Sequence, residues 1–179
     1  MPQSDVPGFD VLLDGAQHSA VHLEMRDGYG VAAESAGFAH WLATGVRDID
    51  PDSEYWAFWT SLVRRTVARG VTVRRARIVS EPLSDYSRYS HAGAVVNIAA
   101  GEEIRYLPRR HASDIALPGN DFWLVDGRLI RWNHFTGTGA SAGGEMSEDP
   151  AVAALCTSAF TAVWERAVPY EDFKPRPIR

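Results

Sequence analysis

The sequence predicts an α/β fold: one domain, a mixed sheet with a central βαβ unit and a following hairpin, and helices on the flanks. Three observations carry this. Residues 73–79 alternate as a strand, residues 83–100 read as a helix stopped by Gly101, and residues 103–107 read as a second strand, the pattern of a parallel crossover. Asp126-Gly127 lies between two apolar runs, 122–125 and 129–132, which is a strong hairpin signal. Asp50-Pro51 and Asp149-Pro150 each combine a capping aspartate with a first-turn proline, marking helix starts.

The elements follow in order. Residues 1–8 are polar and expected to be loose, 9–170 form the domain, and 171–179 form an extended tail. Phe9, Leu12 and Leu13 have helical spacing and end at Gly15. In 19–26, Val21, Leu23 and Met25 alternate with His22, Glu24 and Arg26, which predicts a half-buried strand. Residues 34–44 predict a helix with Phe38, Trp41 and Leu42 on one side and Gly45 as its stop. The next helix, 50–69, buries Trp56, Trp59, Leu62, Val63 and Val67, while Arg64, Arg65 and Arg69 complement its negative end. Residues 137–144 are small and read as a mobile loop; with no following lysine and no strand-to-helix setting they are not a phosphate-binding loop. Val152, Leu155, Cys156, Ala159, Phe160, Val163 and Trp164 mark a last amphipathic helix.

Composition narrows the function classes. A chain of 179 residues, 45% apolar and 23% charged, has the make-up of a globular domain. Its net charge of −5 and the lack of a helix-turn-helix pattern or basic helix argue against direct contact with nucleic acid. No apolar run suits a membrane span. A single cysteine and no signal-peptide pattern indicate the cytoplasm. Histidines, cysteine and acids show no metal-ligand spacing, no Gly-x-Ser-x-Gly elbow occurs, and no cofactor is expected. Whether the chain is an enzyme is not decided at this level; a non-catalytic role is favoured.

The candidate site centres on arginine. Lys174 is the only lysine among eighteen basic residues, a bias that codon composition explains by itself. Less ordinary is the strand 73–79, where Arg75 and Arg77 share a face with Val73 and Val79. They are solvated, paired with carboxylates (Glu24, Glu81, Glu102, Asp121 and Asp126 are the choices), or hold an anion. Arg105 on the next strand, Arg109 in the loop after it, and Tyr86 and Arg88 on the intervening helix extend the set of ligand-binding candidates. Asp121, with Trp123 beside it at the expected pocket mouth, completes it. Asp126 is accounted for by the turn.

Several segments, taken together, resemble an actinobacterial family carrying a domain of unknown function and encoded beside helix-turn-helix regulators. They are 23–29, 73–86, 101–109 and 120–126, within a match spanning about 9–170. The resemblance implies a regulatory association with a separate helix-turn-helix DNA-binding regulator; together with the arginine cluster it leads to a non-catalytic regulatory or ligand-sensing domain, with a small anionic ligand held by Arg75, Arg77 and Arg105 as a further partner. It implies no catalytic residues. At the level of fold alone, strand, helix, strand and hairpin are similar to one half of the phospholipase D superfamily in degenerate form. That site needs His-x-Lys-x-x-x-x-Asp; counting back from Asp126, Gly119 stands at the histidine place and Asp121 at the lysine place. Without its nucleophile that chemistry cannot run. An enzyme acting on phosphodiesters or nucleotides through a non-standard site is the alternative.

Overall fold

The computed structural model describes residues 6–176, so the expected loose N-terminus falls largely outside the described residues, as do 177–179. A seven-stranded mixed sheet organises the chain. In sequence order come α1 (Phe9–Asp14), β1 (Ser19–Glu24), α2 (Ser35–Thr44), α3 (Ala57–Ala68), β2 (Thr72–Val79), α4 (Asp85–Ala99), β3 (Glu103–Pro108), β4 (Asp121–Val125), β5 (Leu129–Phe135), β6 (Ser141–Ser147), α5 (Pro150–Arg166) and β7 (Val168–Pro169). The sheet order is β6-β5-β4-β1-β2-β3-β7. β1, β2 and β3 run parallel, and the β4–β5–β6 meander adds antiparallel to the free side of β1.

Local chemistry explains most boundaries. The Ser84 hydroxyl accepts the Ser87 N–H and caps α4, and Asp149 accepts the Ala151 N–H at 2.8 Å ahead of Pro150. Gly45 ends α2 at φ 72°, a conformation that favours glycine. In the β4–β5 turn Asp126 has φ 51° and Gly127 φ 66°, as the two-residue turn requires. The Asp126 carboxylate also accepts the N–H groups of Gln17, His18 and Ser19 at 2.7–3.0 Å, tying the hairpin to the start of β1. Asp126→Ala should therefore cost about 2 kcal/mol, read as a lowered urea midpoint, whereas Asn, which tolerates this backbone, should retain most of the stability.

Four expectations are corrected. Residues 137–144 are not simply a loop: Ser141 begins a strand that pairs with β5, because that neighbour supplies the backbone partners. Close approach needs glycine there, since a Cβ on Gly144 would lie 2.5 Å from the Trp132 carbonyl oxygen. The third helix begins at Ala57 rather than Asp50, because the Asp48 and Asp50 side chains accept the N–H groups two residues on and make successive turns. Leu42, placed on the buried side of α2, is 53% exposed. Beyond Pro169 the chain makes a 3-10 turn, Tyr170–Asp172, and buries Phe173 against Tyr106, rather than running extended from 171.

The two faces of the sheet differ in kind. One is apolar: Leu23, Ala76, Ile78, Leu107, Phe122, Leu124 and Ile130 pack on Cys156, Phe160 and Val163 of α5. The opposite face is covered at one end by α1 and α3 around Trp123 and at the other by α4 around Tyr106. Its centre is polar.

Candidate ligand cleft

Strand register builds the polar centre in two rows. In the first, Arg75, His22, Trp123 and Arg131 lie side by side across β2, β1, β4 and β5. In the second, Tyr106, Arg77 and Glu24 are in register across β3, β2 and β1. Asp121 continues that row one step beyond the Leu23–Phe122 pair, and Asn133 faces Asp121 on β5. Alternation is the cause: residues two positions apart on a strand share a face, so Arg75 and Arg77 follow Val73, His22 and Glu24 follow Ala20, and Asp121 precedes Trp123.

The arginines are paired. Arg75 Nε donates to Glu102 Oε1 at 2.7 Å, and its Nη1 reaches Glu24 Oε1 at 3.3 Å. Arg77 Nε lies 3.0 Å from Glu24 Oε2, and Arg77 also donates to Ser90. All four charged groups are largely buried. Burial pushes the Glu24 carboxyl up, but Arg77 and Arg75 outweigh it and hold the group at about 2. Of the three sequence-level choices, pairing is the one observed.

His22 is buried, stacks on Trp123 with ring centroids 4.4 Å apart, and has Nδ1 3.8 Å from Glu24 Oε1. Burial is the main cause holding its pKa down at about 3, with Arg75, Arg77 and Arg131 adding to it against Glu24, so the ring is neutral. Asp121 accepts the Met25 N–H at 2.9 Å and the Tyr29 hydroxyl. Burial raises its pKa to about 6, the Tyr29 hydrogen bond opposing and Glu24 assisting. An acid raised in the fold from 3.8 to about 6 contributes stability at pH below 3.8 that is lost as pH rises through 6. Asp121→Asn should remove this loss, flattening urea midpoints across that window and raising stability near neutrality.

Above these rows two cavities adjoin, of about 720 and 410 Å³, sharing Phe9, His22, Glu24, Val31, Glu34 and Tyr86 in their walls. Volumes of this order suit a small molecule. Tyr29 and Tyr86 face each other at 5.6 Å, and the Tyr86 hydroxyl donates to Glu34. The wall formed by Ser141, Ala142, Gly143 and Gly144 is open because those side chains are small. Several buried atoms have no hydrogen-bond partner among the described residues: His22 Nδ1, Arg77 Nη2, and Arg131 Nε and Nη1, while Glu24 Oε2 has only its ion-pair contact with Arg77 Nε at 3.0 Å. A separate trough of about 770 Å³ lies near Glu81 and Asp114, but Arg110 and Arg166 neutralise those acids. Among the described residues it has no comparable unpartnered centre.

Of the residues singled out from sequence, Arg75, Arg77, Tyr86, Asp121 and Trp123 line this cleft. Trp123 is not at the mouth: it is 1% exposed and wedged between His22 and Trp59. Arg105 lies on the opposite face, its guanidinium over Trp164 and donating to the Trp164 carbonyl at 3.1 Å. Arg109 ties strand ends together through the Met25 carbonyl (2.7 Å), Ser80 and Asp27. Arg88 pairs with Asp85 one turn back on α4, at the surface. Arg88→Ala should leave any cleft binding and the melting temperature unchanged, since exposed pairs contribute little. Sequence reasoning missed His22, Tyr29, Glu34 and Arg131 as cleft residues; the available signal was β-alternation, which puts His22 with Glu24 and Arg131 with Trp123.

Residues 7–175 match a domain of unknown function, DUF6879. The chain belongs to this family. No curated protein matches this chain. Among solved structures, it is similar to TrmBL2, an archaeal chromatin protein whose structure shows a novel mode of DNA binding; identity is 14%, TM-score 0.48, and the likeness covers 89% of this chain and 48% of TrmBL2. The chain thus spans about half of that protein. The expectation that this chain makes no direct contact with nucleic acid is corrected here: the solved structure it is similar to is that of a DNA-binding chromatin protein. No described helix is long and apolar enough to cross a membrane.

Proposed function

We propose that this DUF6879 chain is a ligand-sensing domain that binds a small polar molecule in the cleft over His22, Glu24 and Asp121 and acts with a DNA-binding transcriptional regulator. The observation that carries it is the pair of adjoining cavities over a polar sheet centre in which buried atoms lack partners. A buried polar atom without a partner costs free energy, and a ligand in the cleft removes that cost. The regulator enters through the resemblance of 73–86 and 120–126 to proteins encoded beside helix-turn-helix regulators. This reading puts the domain in the cytoplasm with its DNA-binding partner.

The test is isolation of the tagged protein from its own cells with any DNA-binding protein that co-purifies, followed by measurement of that complex on its operator DNA. Ala142 is exposed at the cavity wall, so Ala142→Trp should fill the mouth with little cost to folding. A wild-type complex whose operator affinity responds to cell extract, and an Ala142→Trp complex that does not respond, would support the reading. No co-purifying regulator, or equal responses, would contradict it.

One observation favours the enzyme alternative. Glu24, held at about 2, and Asp121, raised to about 6, lie across adjacent strands and line the same cavity. Two carboxyls pushed apart in this way can serve as base and acid. Turnover of a phosphodiester or nucleotide that disappears in Asp121→Asn, with the melt preserved, would establish it.

A further inference from the structure

Arg131 differs from the other arginines of the sheet centre. Its guanidinium lies 3.8 Å from the Phe9 ring centroid, yet Nε and Nη1 are buried and without an acceptor. Among the described residues no carboxylate comes within 4.0 Å of it. Burial lowers its pKa, the direction expected of a cation lacking a counter-ion. Among the described residues it is the one arginine lining the 720 Å³ cavity, whose walls also carry Glu24, Glu34 and Asp121. Glu24 is engaged by Arg75 and Arg77, which leaves Asp121 and Glu34 as the acidic wall.

We infer that the cleft takes a small monocarboxylic acid bearing hydroxyl or ammonium groups, its carboxylate on Arg131 and its donors on Asp121 and Glu34. This rests on the ligand-cleft reading above. A carboxylate fits one edge of the guanidinium in two parallel hydrogen bonds, as Asp14 does on Nε and Nη2 of Arg65, and gives Arg131 the counter-ion it lacks. A phosphate dianion would meet one unpaired guanidinium and the acidic wall of Asp121 and Glu34, so the charge balance selects a single negative charge. Spacing fits as well: Asn133, opposite Asp121, is two residues along β5 from Arg131, a distance of about 7 Å, which an amino acid or hydroxy acid spans. Phe9 beneath the fork and Tyr29 and Tyr86 across the cavity suit a ligand with an aromatic or otherwise flat body.

The test is calorimetric titration of L-tyrosine and 4-hydroxyphenylacetate, their methyl esters, and inorganic phosphate into the wild type, Arg131→Gln and Ala142→Trp. The acids should bind the wild type, at least about tenfold more tightly than their esters or phosphate. Arg131→Gln should lose at least about tenfold in acid binding, and Ala142→Trp should abolish it. Without ligand, Arg131→Gln should melt at or above the wild-type temperature, because it removes a half-buried cation that has no carboxylate partner. Equal binding of acid and ester, or unchanged affinity in Arg131→Gln, with Ala142→Trp still blocking, would overturn the role of Arg131 and leave the cleft reading standing. An Arg131→Gln protein that melts well below the wild type would show a structural arginine and also overturn it. If no probe binds, or if binding survives Ala142→Trp, both the ligand class and the cleft reading fail.

Discussion

Glu24→Gln is expected to destabilise the fold by about 3–5 kcal/mol, the range for removing one partner of a buried ion pair. The substitution keeps the side-chain shape but takes away the carboxylate that Arg75 and Arg77 share. Arg75 retains Glu102, whereas Arg77 has no other carboxylate within 4.0 Å among the described residues. A pH signature goes with it. Glu24 has its folded pKa depressed from 4.5 to about 2, so the stability it contributes is present above 4.5 and lost as pH falls through 2. Urea midpoints of the wild type should fall across that acidic window, and those of Glu24→Gln should be lower throughout with a shallower fall. A variant as stable as the wild type at neutral pH would mean that the polar centre is solvated and the pairing inconsequential.

Trp123→Ala should cost a comparable amount, about 3–5 kcal/mol. The indole is fully buried, stacks on His22, and meets Phe9 and Trp59 at ring-centroid distances of 5.9 and 5.8 Å. Its loss would open a cavity beneath α1 and α3 and remove the support that orients His22. Denaturant midpoints measured with a constant m-value check this. A cost below about 1 kcal/mol, the result expected of an exposed aromatic at a pocket mouth, would return Trp123 to the position its sequence neighbourhood suggested.

That contrast shows what the sequence made legible. The crossover, the hairpin and the last helix were readable because apolar periodicity, the Asp126-Gly127 turn and the Ser84 and Asp149 caps all act locally. β6 was hidden because a run of glycine, serine and alanine has little strand preference of its own and pairs only because β5 offers it a ladder. The start of α3 was misplaced because Asp48 and Asp50 make turns with chemistry that would equally cap a helix. At the site, charged residues on a valine face drew notice to Arg75 and Arg77, but their partners come from β1 and from the residue before β3, and that pairing exists only in the assembled sheet. Arg105 shows the same limit in reverse: its alternation phase turns it to the far face, against Trp164. Arg131 escaped notice because, within residues 129–132, it reads as an ordinary outward position of a hairpin strand; its isolation is a property of the folded neighbourhood.

The most direct test of the cleft as a ligand site is the small-molecule content of the protein itself. Wild-type and Ala142→Trp proteins, purified from their own cells without denaturation, would be unfolded and the released small molecules compared by mass spectrometry. The account predicts a small carboxylic acid released from the wild type in near-equimolar amount and missing from Ala142→Trp. Equal release from both proteins, or nothing released from the wild type, would contradict it.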